Sequence, residues 1–191
     1  MDATPIYLDH NATTPVAEVV LQAMLPYLRE HFGNPSSNHV YGQRTAAAID
    51  AARQQVAHLI GAQPRQVVFT SGGTEANNLA LIGAALARPN RRHWISSTIE
   101  HPAVTEPLGE LSRQGHRVDF APVDSSGIVR LAEIGAALTL QTNVVSVMLA
   151  NNETGVLQPI SEVNPQPHGA WLHTDASQAV GKTPVQVDAL G

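Results

Sequence analysis

The chain has 191 residues with 43% hydrophobic content, enough for one globular domain with a real core and too much for a disordered tail. A formal charge of -5 and arginines scattered as at Arg29, Arg53, Arg91 and Arg130 exclude the basic stripe of a nucleic-acid binder and favour a small-molecule substrate. The absence of cysteine removes disulfides, thiolate metal sites and a thiol nucleophile, and Lys182 is the single lysine.

In chain order, the opening Met1-Asp2-Ala3-Thr4-Pro5 has neither the basic start nor the apolar stretch of a signal peptide, and no run approaches the roughly 18 apolar residues of a membrane span. A cytoplasmic location is therefore expected. Glu18 to Glu30 has helical period, with Val19, Val20, Ala23, Met24, Tyr27 and Leu28 on its apolar stripe. Phe32 to Ser37 is a loop rich in Gly, Pro and Ser, and a second helix runs from Arg44 to Ile60, ending at Gly61. Apolar, β-branched runs predict strands at Val67 to Thr70, His93 to Ser97, Arg117 to Pro122, Val144 to Leu149 and Ala170 to Thr174. Helices Glu75 to Ala87, Pro102 to Arg113 and Leu131 to Leu140 separate the first four, the alternation of an α/β domain with a mostly parallel sheet. Pro159, Pro165 and Pro167 leave room for at most a short helical turn before the last strand.

Chemistry is expected at the carboxyl ends of such strands. Thr70-Ser71-Gly72-Gly73-Thr74-Glu75 follows a strand and opens a helix, a phosphate cup made of backbone N–H groups and the helix dipole, although the same residues fit an ordinary helix cap. His101, in Glu100-His101-Pro102, starts the next helix off the end of a strand, which sets it apart from His58 and His116. Asn151 and Asn152 follow the strand expected to be central, where they suit a substrate carboxylate or a turn. Asp175 closes the fifth strand, placed to pair with a protonated ring nitrogen or to cap a helix. Metal binding by His168, His173 and Asp175 matches no standard spacing, and no metal is expected.

Taken together and in this order, Tyr7 to Pro15, Phe32 to Ser37, Phe69 to Glu75, Glu100-His101, Asn151 to Gly155 and His173 to Lys182 resemble the cysteine desulfurases of the class V aminotransferase group. The resemblance implies the fold type I large domain of pyridoxal-phosphate (PLP) enzymes, a mostly parallel sheet with flanking helices, truncated here before its last strands. Residues 1–14 would form an N-terminal segment and residues 15–191 the incomplete PLP-binding domain. It further implies that Gly73 and Thr74 hold the PLP phosphate, that His101 stacks on the ring and acts catalytically as a proton shuttle, and that Asp175 pairs with the ring nitrogen. Gln178 would bond the phenolic oxygen, and Asn152 would help place cofactor and substrate. Members of the group are homodimers that take sulfur from L-cysteine, release alanine and pass the sulfur to an acceptor protein for iron–sulfur clusters and related products.

In the group, the lysine that binds PLP covalently and the cysteine that carries the persulfide lie beyond the counterpart of Gly191, and Lys182 corresponds to neither. The chain alone is therefore expected to be inactive, with exposed strand edges including that of Val67 to Thr70. A selenocysteine lyase or another class V aminotransferase-like enzyme, and a non-catalytic remnant binding phosphate or a partner chain, are the alternative readings.

Overall fold

The computed structural model describes residues 5–191; Met1 to Thr4, part of the opening read above, lie outside the described residues. The chain divides into two compact units, one comprising the described residues up to His58 with Gln63–Val67, the other Leu59–Ala62 with Val68–Gly191.

In the first unit, helix α1 (Glu18–Arg29) forms where the periodicity predicts, but it buries no residue, and its apolar stripe is open, with Val19 77% and Leu28 69% exposed. Helix α2 (Val40–Ile60) starts four residues before the predicted Arg44. His39 explains the early start: its carbonyl accepts the Gln43 N–H at 3.0 Å and its Nδ1 accepts the Gly42 N–H at 3.3 Å, a local cap that hydrophobic period cannot register. The loop before α2 is pinned by the Thr45 hydroxyl, which donates to the Gly33 carbonyl at 2.7 Å. Gly42 lets the same loop close on the start of α2, because a Cβ there would sit 2.2 Å from the Ser37 carbonyl oxygen.

Val67 to Thr70 is not a strand. Val67 is extended, with φ -93° and ψ 124°, after a helical turn at Pro64–Gln66, yet the segment has no ladder partner among the described residues, and Val68 is 67% exposed. β-branched residues favour extended backbone locally, but a strand also needs a neighbour to bond to.

The second unit holds the sheet. Strands β1 (His93–Ser97), β2 (Arg117–Ala121), β3 (Thr142–Ser146) and β4 (Trp171–His173) pair in parallel, in the order β2-β1-β3-β4. Helices α3 (Gly73–Ala87) and α4 (Pro102–Arg113) cover one face, where Leu81, Ala84, Val104, Leu108 and Leu111 pack on Trp94 and Val144. Helix α5 (Leu131–Ala137) covers the other, where Ile134 joins Ile95, Val145, Val147, Ile160 and Ala179. Trp94 and Ile95, like Val144 and Val145, point to opposite faces, so both central strands are buried on both sides, as parallel sheets require.

β3 is central, as expected, but begins at Thr142 and ends at Ser146. Its extension keeps bonding to β4 and the residues after it, the Val147 N–H donating to the His173 carbonyl at 3.1 Å and the Leu149 N–H to the Asp175 carbonyl at 2.9 Å. The proline-rich crossover holds two short helical turns, Ile160–Glu162 and Gln166–His168, where at most one is predicted. A last short helix, α6, spans Val187–Leu190.

Substituting Ile95→Ala, fully buried between α5 and the sheet, is expected to lower unfolding free energy by about 2–5 kcal/mol. Val68→Ala should change it by no more than about 0.5 kcal/mol. Urea unfolding of both variants checks this, and a large loss from Val68→Ala would restore the strand that the structure does not form.

Candidate active site

β1 is joined onward to β2 on one side, while β3 and β4 lie on its other side. The order of the chain thus reverses between β1 and β3, and such a reversal opens a crevice at the carboxyl ends of the strands. Three chain segments and one helix end enclose it.

The helix end belongs to α3. Gly72 gives it no side-chain cap, so the first N–H groups stay available and the helix dipole faces outward. Just ahead of it, the Ser71 N–H donates to the Glu75 carboxylate at 2.6 Å, and Ser71 holds that carboxyl below its usual range. A Cβ at Gly73 would lie 2.9 Å from the Ser177 hydroxyl oxygen, so α3 opens directly against the segment that follows β4.

The segment after β1 carries Glu100 and His101. His101 caps α4: its Nδ1 accepts the Ala103 N–H at 3.0 Å, which places the proton of the neutral ring on Nε2. Behind it, the Glu100 Oε1 accepts from the Ser97 hydroxyl at 2.5 Å and from the Met148 N–H at 2.9 Å, while Oε2 is buried with no partner among the described residues. Burial raises the Glu100 carboxyl to about 7 against the pull of those two donors, and the Asp175 charge adds to the rise.

The segment after β3 is organised by Asn151, whose Oδ1 accepts from the backbone N–H groups of Glu153 and Thr154 at 3.0 and 2.9 Å and whose Nδ2 donates to the Ile99 carbonyl at 3.2 Å. This turn presents Asn152, whose Nδ2 donates to Glu153 at 2.8 Å.

After β4, Asp175 sits half-buried with both oxygens engaged. The Ser177 N–H donates to Oδ1 at 2.9 Å and the Asn77 amide, from α3, to Oδ2 at 2.7 Å. Burial alone would raise this carboxyl, but Ser177, Asn77 and the neighbouring His173 outweigh it and hold it below its usual range. His173 is itself driven towards the neutral form by burial, so above mildly acidic pH the neutral donors carry the effect. Among the described residues no arginine or lysine pairs with Asp175, which leaves its charge available to an incoming cation.

These parts surround one cavity of about 190 Å³. The six residues given a role by the resemblance line it together: Gly73, Thr74, His101, Asn152, Asp175 and Gln178; Ser71 and Asn151, also considered from sequence, are outside the lining. Ala103, Met148, Ala150 and Ser177 also line it and went unrecognised in the sequence. So did the supporting roles of Asn77 and Glu100, although Asn77 lies one helical turn after Thr74 and Glu100 adjoins His101. Lys182 lies outside this lining, its Nζ donating to the Gln178 Oε1 at 2.5 Å. Among the described residues no cluster of His, Asp and Glu is placed to hold a metal ion. An anion-seeking helix end facing an ionised, uncompensated carboxylate suits a ligand that carries a phosphate at one end and a cationic ring nitrogen at the other.

The profile of the class V aminotransferases matches residues 6–191. A cysteine desulfurase of Trichormus variabilis is 49% identical over 184 residues, covering 95% of this chain and 46% of the relative. The solved structure of a NifS-like protein superposes with a TM-score of 0.94 at 38% identity, covering 98% of this chain and 53% of that one. A second, SspA in complex with cysteine, does so at 0.92 and 36% identity, covering 96% and 54%. The chain thus spans about half the length of the relatives it matches.

Asn77→Ala is expected to raise the titration midpoint of Asp175 and to destabilise the fold by about 1–3 kcal/mol at neutral pH, because it strips a donor from a partly buried carboxylate. Since the folded-state value of Asp175 is depressed, the stabilisation from its ionised form is present above the ordinary carboxylate range and lost as pH falls through the folded value. The variant should therefore lose less stability than the parent on acidification. Carboxyl NMR titration with unfolding curves at neutral and acidic pH measures both effects.

Proposed function

The chain belongs to the class V aminotransferase family, and on that premise we propose that it forms the cofactor-binding part of a PLP-dependent cysteine desulfurase. The observation that carries this reading is the meeting, in one cavity, of the uncapped α3 end and the ionised Asp175 carboxylate with no cationic partner among the described residues. Residues 15–191 are proposed to constitute the PLP-binding domain, preceded by the segment 1–14.

When bound, PLP supplies an electron sink for chemistry at the carbon skeleton of an amino acid. The residues have separable tasks. The N–H groups at Gly73 and Thr74, with the Thr74 hydroxyl, bind the phosphate. Asp175 holds a proton on the ring nitrogen by offering an ion pair, and Asn77 and Ser177 aim its two oxygens. Gln178 orients the ring through its phenolic oxygen, and Asn152 helps place the cofactor and the substrate carboxylate. His101, its Nδ1 engaged in capping α4, would offer Nε2 towards the bound ring as the atom that holds or passes a proton.

The substrate proposed is L-cysteine, the ligand named for the SspA structure, with alanine released and the sulfur passed to an acceptor protein for iron–sulfur cluster assembly. A cytoplasmic site of action and a homodimer complete the proposal. No helix among the described residues is long and apolar enough to cross a membrane. Among the described residues β2 and β4 each pair on one side only, which leaves backbone groups open to a second chain. The 191 residues contain no cysteine to carry a persulfide, and their one lysine, Lys182, is outside the cavity lining and donates to Gln178. These residues alone therefore lack the nucleophiles for turnover.

The purified chain is expected to bind PLP reversibly and to release no alanine or sulfide from L-cysteine above the free-cofactor background. Thr74→Ala and Asp175→Ala should each weaken binding by about 1–3 kcal/mol, the range for a hydrogen bond to a charged group. Absorbance titration and alanine assay check the set, and unchanged binding in both variants would remove the site assignment. Sedimentation across a concentration series is expected to show self-association, and a single monomeric species throughout would remove the homodimer from the proposal for this chain.

A further inference from the structure

Glu100 is not part of the cavity lining, yet it touches both sides of the crevice. Its Oε1 receives the Ser97 hydroxyl from the end of β1 and the Met148 N–H from the extension of β3. Those strands are the ones between which the chain order reverses. Its chain neighbour His101 and its bonding partner Met148 both line the cavity, as does Asp175. The second oxygen, Oε2, is buried and without a partner among the described residues. A carboxyl used only as a tie would be expected to have both oxygens satisfied or exposed, because an unpaired buried charge is costly.

We propose that Glu100 is a positioning residue of this site: it clamps the end of β1 to the end of β3 behind the cavity and acts with Asp175 as a coupled acidic pair that strengthens the hold on a cationic ring. The ligand half of this inference rests on the cofactor reading above; the coupling between the two carboxyls does not.

The two acidic residues flank one stretch of chain: Met148 gives its N–H to the Glu100 carboxyl at 2.9 Å, and the next residue, Leu149, gives its N–H to the Asp175 carbonyl at 2.9 Å. Of the other groups on the surrounding segments, His101 adjoins Glu100 in the chain, His173 in β4 acts on Asp175, and α3 presents the neutral Asn77. The carboxyl sits near 7 through burial opposed by Ser97 and Met148, with Asp175 adding to the rise. It can therefore change charge in the neutral range. A cation bound at Asp175 cancels the charge that opposes ionisation of Glu100, so binding should release its proton to solvent. By linkage, the ionised Glu100 must in turn favour the cation.

Two measurements on the full chain test the proposal. In the ligand-free protein, carboxyl NMR should give Glu100 a midpoint in the neutral range, and Asp175→Asn should lower it. A midpoint in the ordinary carboxylate range, or no response to Asp175→Asn, would overturn the pair. In the second, PLP affinity is followed from pH 5.5 to 8.5 in the parent and in Glu100→Gln, which keeps an acceptor for Ser97 and Met148 but cannot titrate. The parent-to-variant affinity ratio should rise about five-fold across the range, the low end of ordinary coupling between sites, whereas a purely structural clamp would give a constant ratio. A constant ratio with PLP bound would overturn the role of Glu100 and leave the cofactor reading standing. Failure of the parent to bind PLP at any pH would overturn the cofactor reading and the ligand half together, while the ligand-free titration still decides the coupling.

Discussion

The parallel pairing of β1 with β2 on one side and β3 on the other is the constraint from which the rest follows. Parallel strands joined through helices deliver all their carboxyl ends to one edge of the sheet, so the segments after β1, β3 and β4 meet there regardless of their distance in sequence. Where the order reverses, the outgoing connections diverge and leave a crevice. The buried faces of β1 and β3, with Trp94 and Val144 against α3 and α4 and Ile95 and Val145 against the other layer, keep the two strand ends fixed relative to each other. A close-packed core resists small displacements, so the crevice is held as rigidly as the sheet.

At and behind that crevice two carboxyl groups, on the segments after β1 and β4, are shifted in opposite directions, and the difference comes from how burial is set against their donors. Asp175 has two donors shared over both oxygens and remains ionised despite partial burial. Glu100 also has two donors, but both address one oxygen and leave the other buried and unpaired, so burial wins. Divergent carboxyl environments within one site are how a protein separates a permanent charge from a proton-exchanging group. Neither carboxyl has a lysine or arginine partner among the described residues, consistent with a site that reserves its negative potential for a ligand.

The two units differ in how far the chain satisfies itself. Around the sheet, apolar residues close on each other from both faces. In the first unit the stripe of α1 stays open, as does Val68 at the start of the second. Amphipathic period records that a face is apolar and leaves open what covers it. The chain matches about half the length of its relatives, and its own described residues leave these surfaces open.

Much of the fold was legible in the residues because it depends on local physics. Helical period, the proline at the start of α4 and β-branched runs located most elements. The rule that ligands gather at the carboxyl ends of parallel strands then pointed to Gly73, Thr74, His101, Asn152 and Asp175, each next to a strand end or helix start, and the resemblance to the cysteine desulfurases added Gln178. The same local reasoning failed at Val67 to Thr70, since an extended preference becomes a strand only where a neighbour offers its backbone. It was silent on Asn77, whose partner Asp175 is 98 positions away, and on Glu100, whose bond to Met148 exists only because β1 and β3 lie side by side. The sequence by itself determined which residues could bind a phosphate or hold a charge. The tertiary structure alone decided which were brought together and which carboxyl kept its proton, because strand register sets the distances and burial sets the free energy of ionisation.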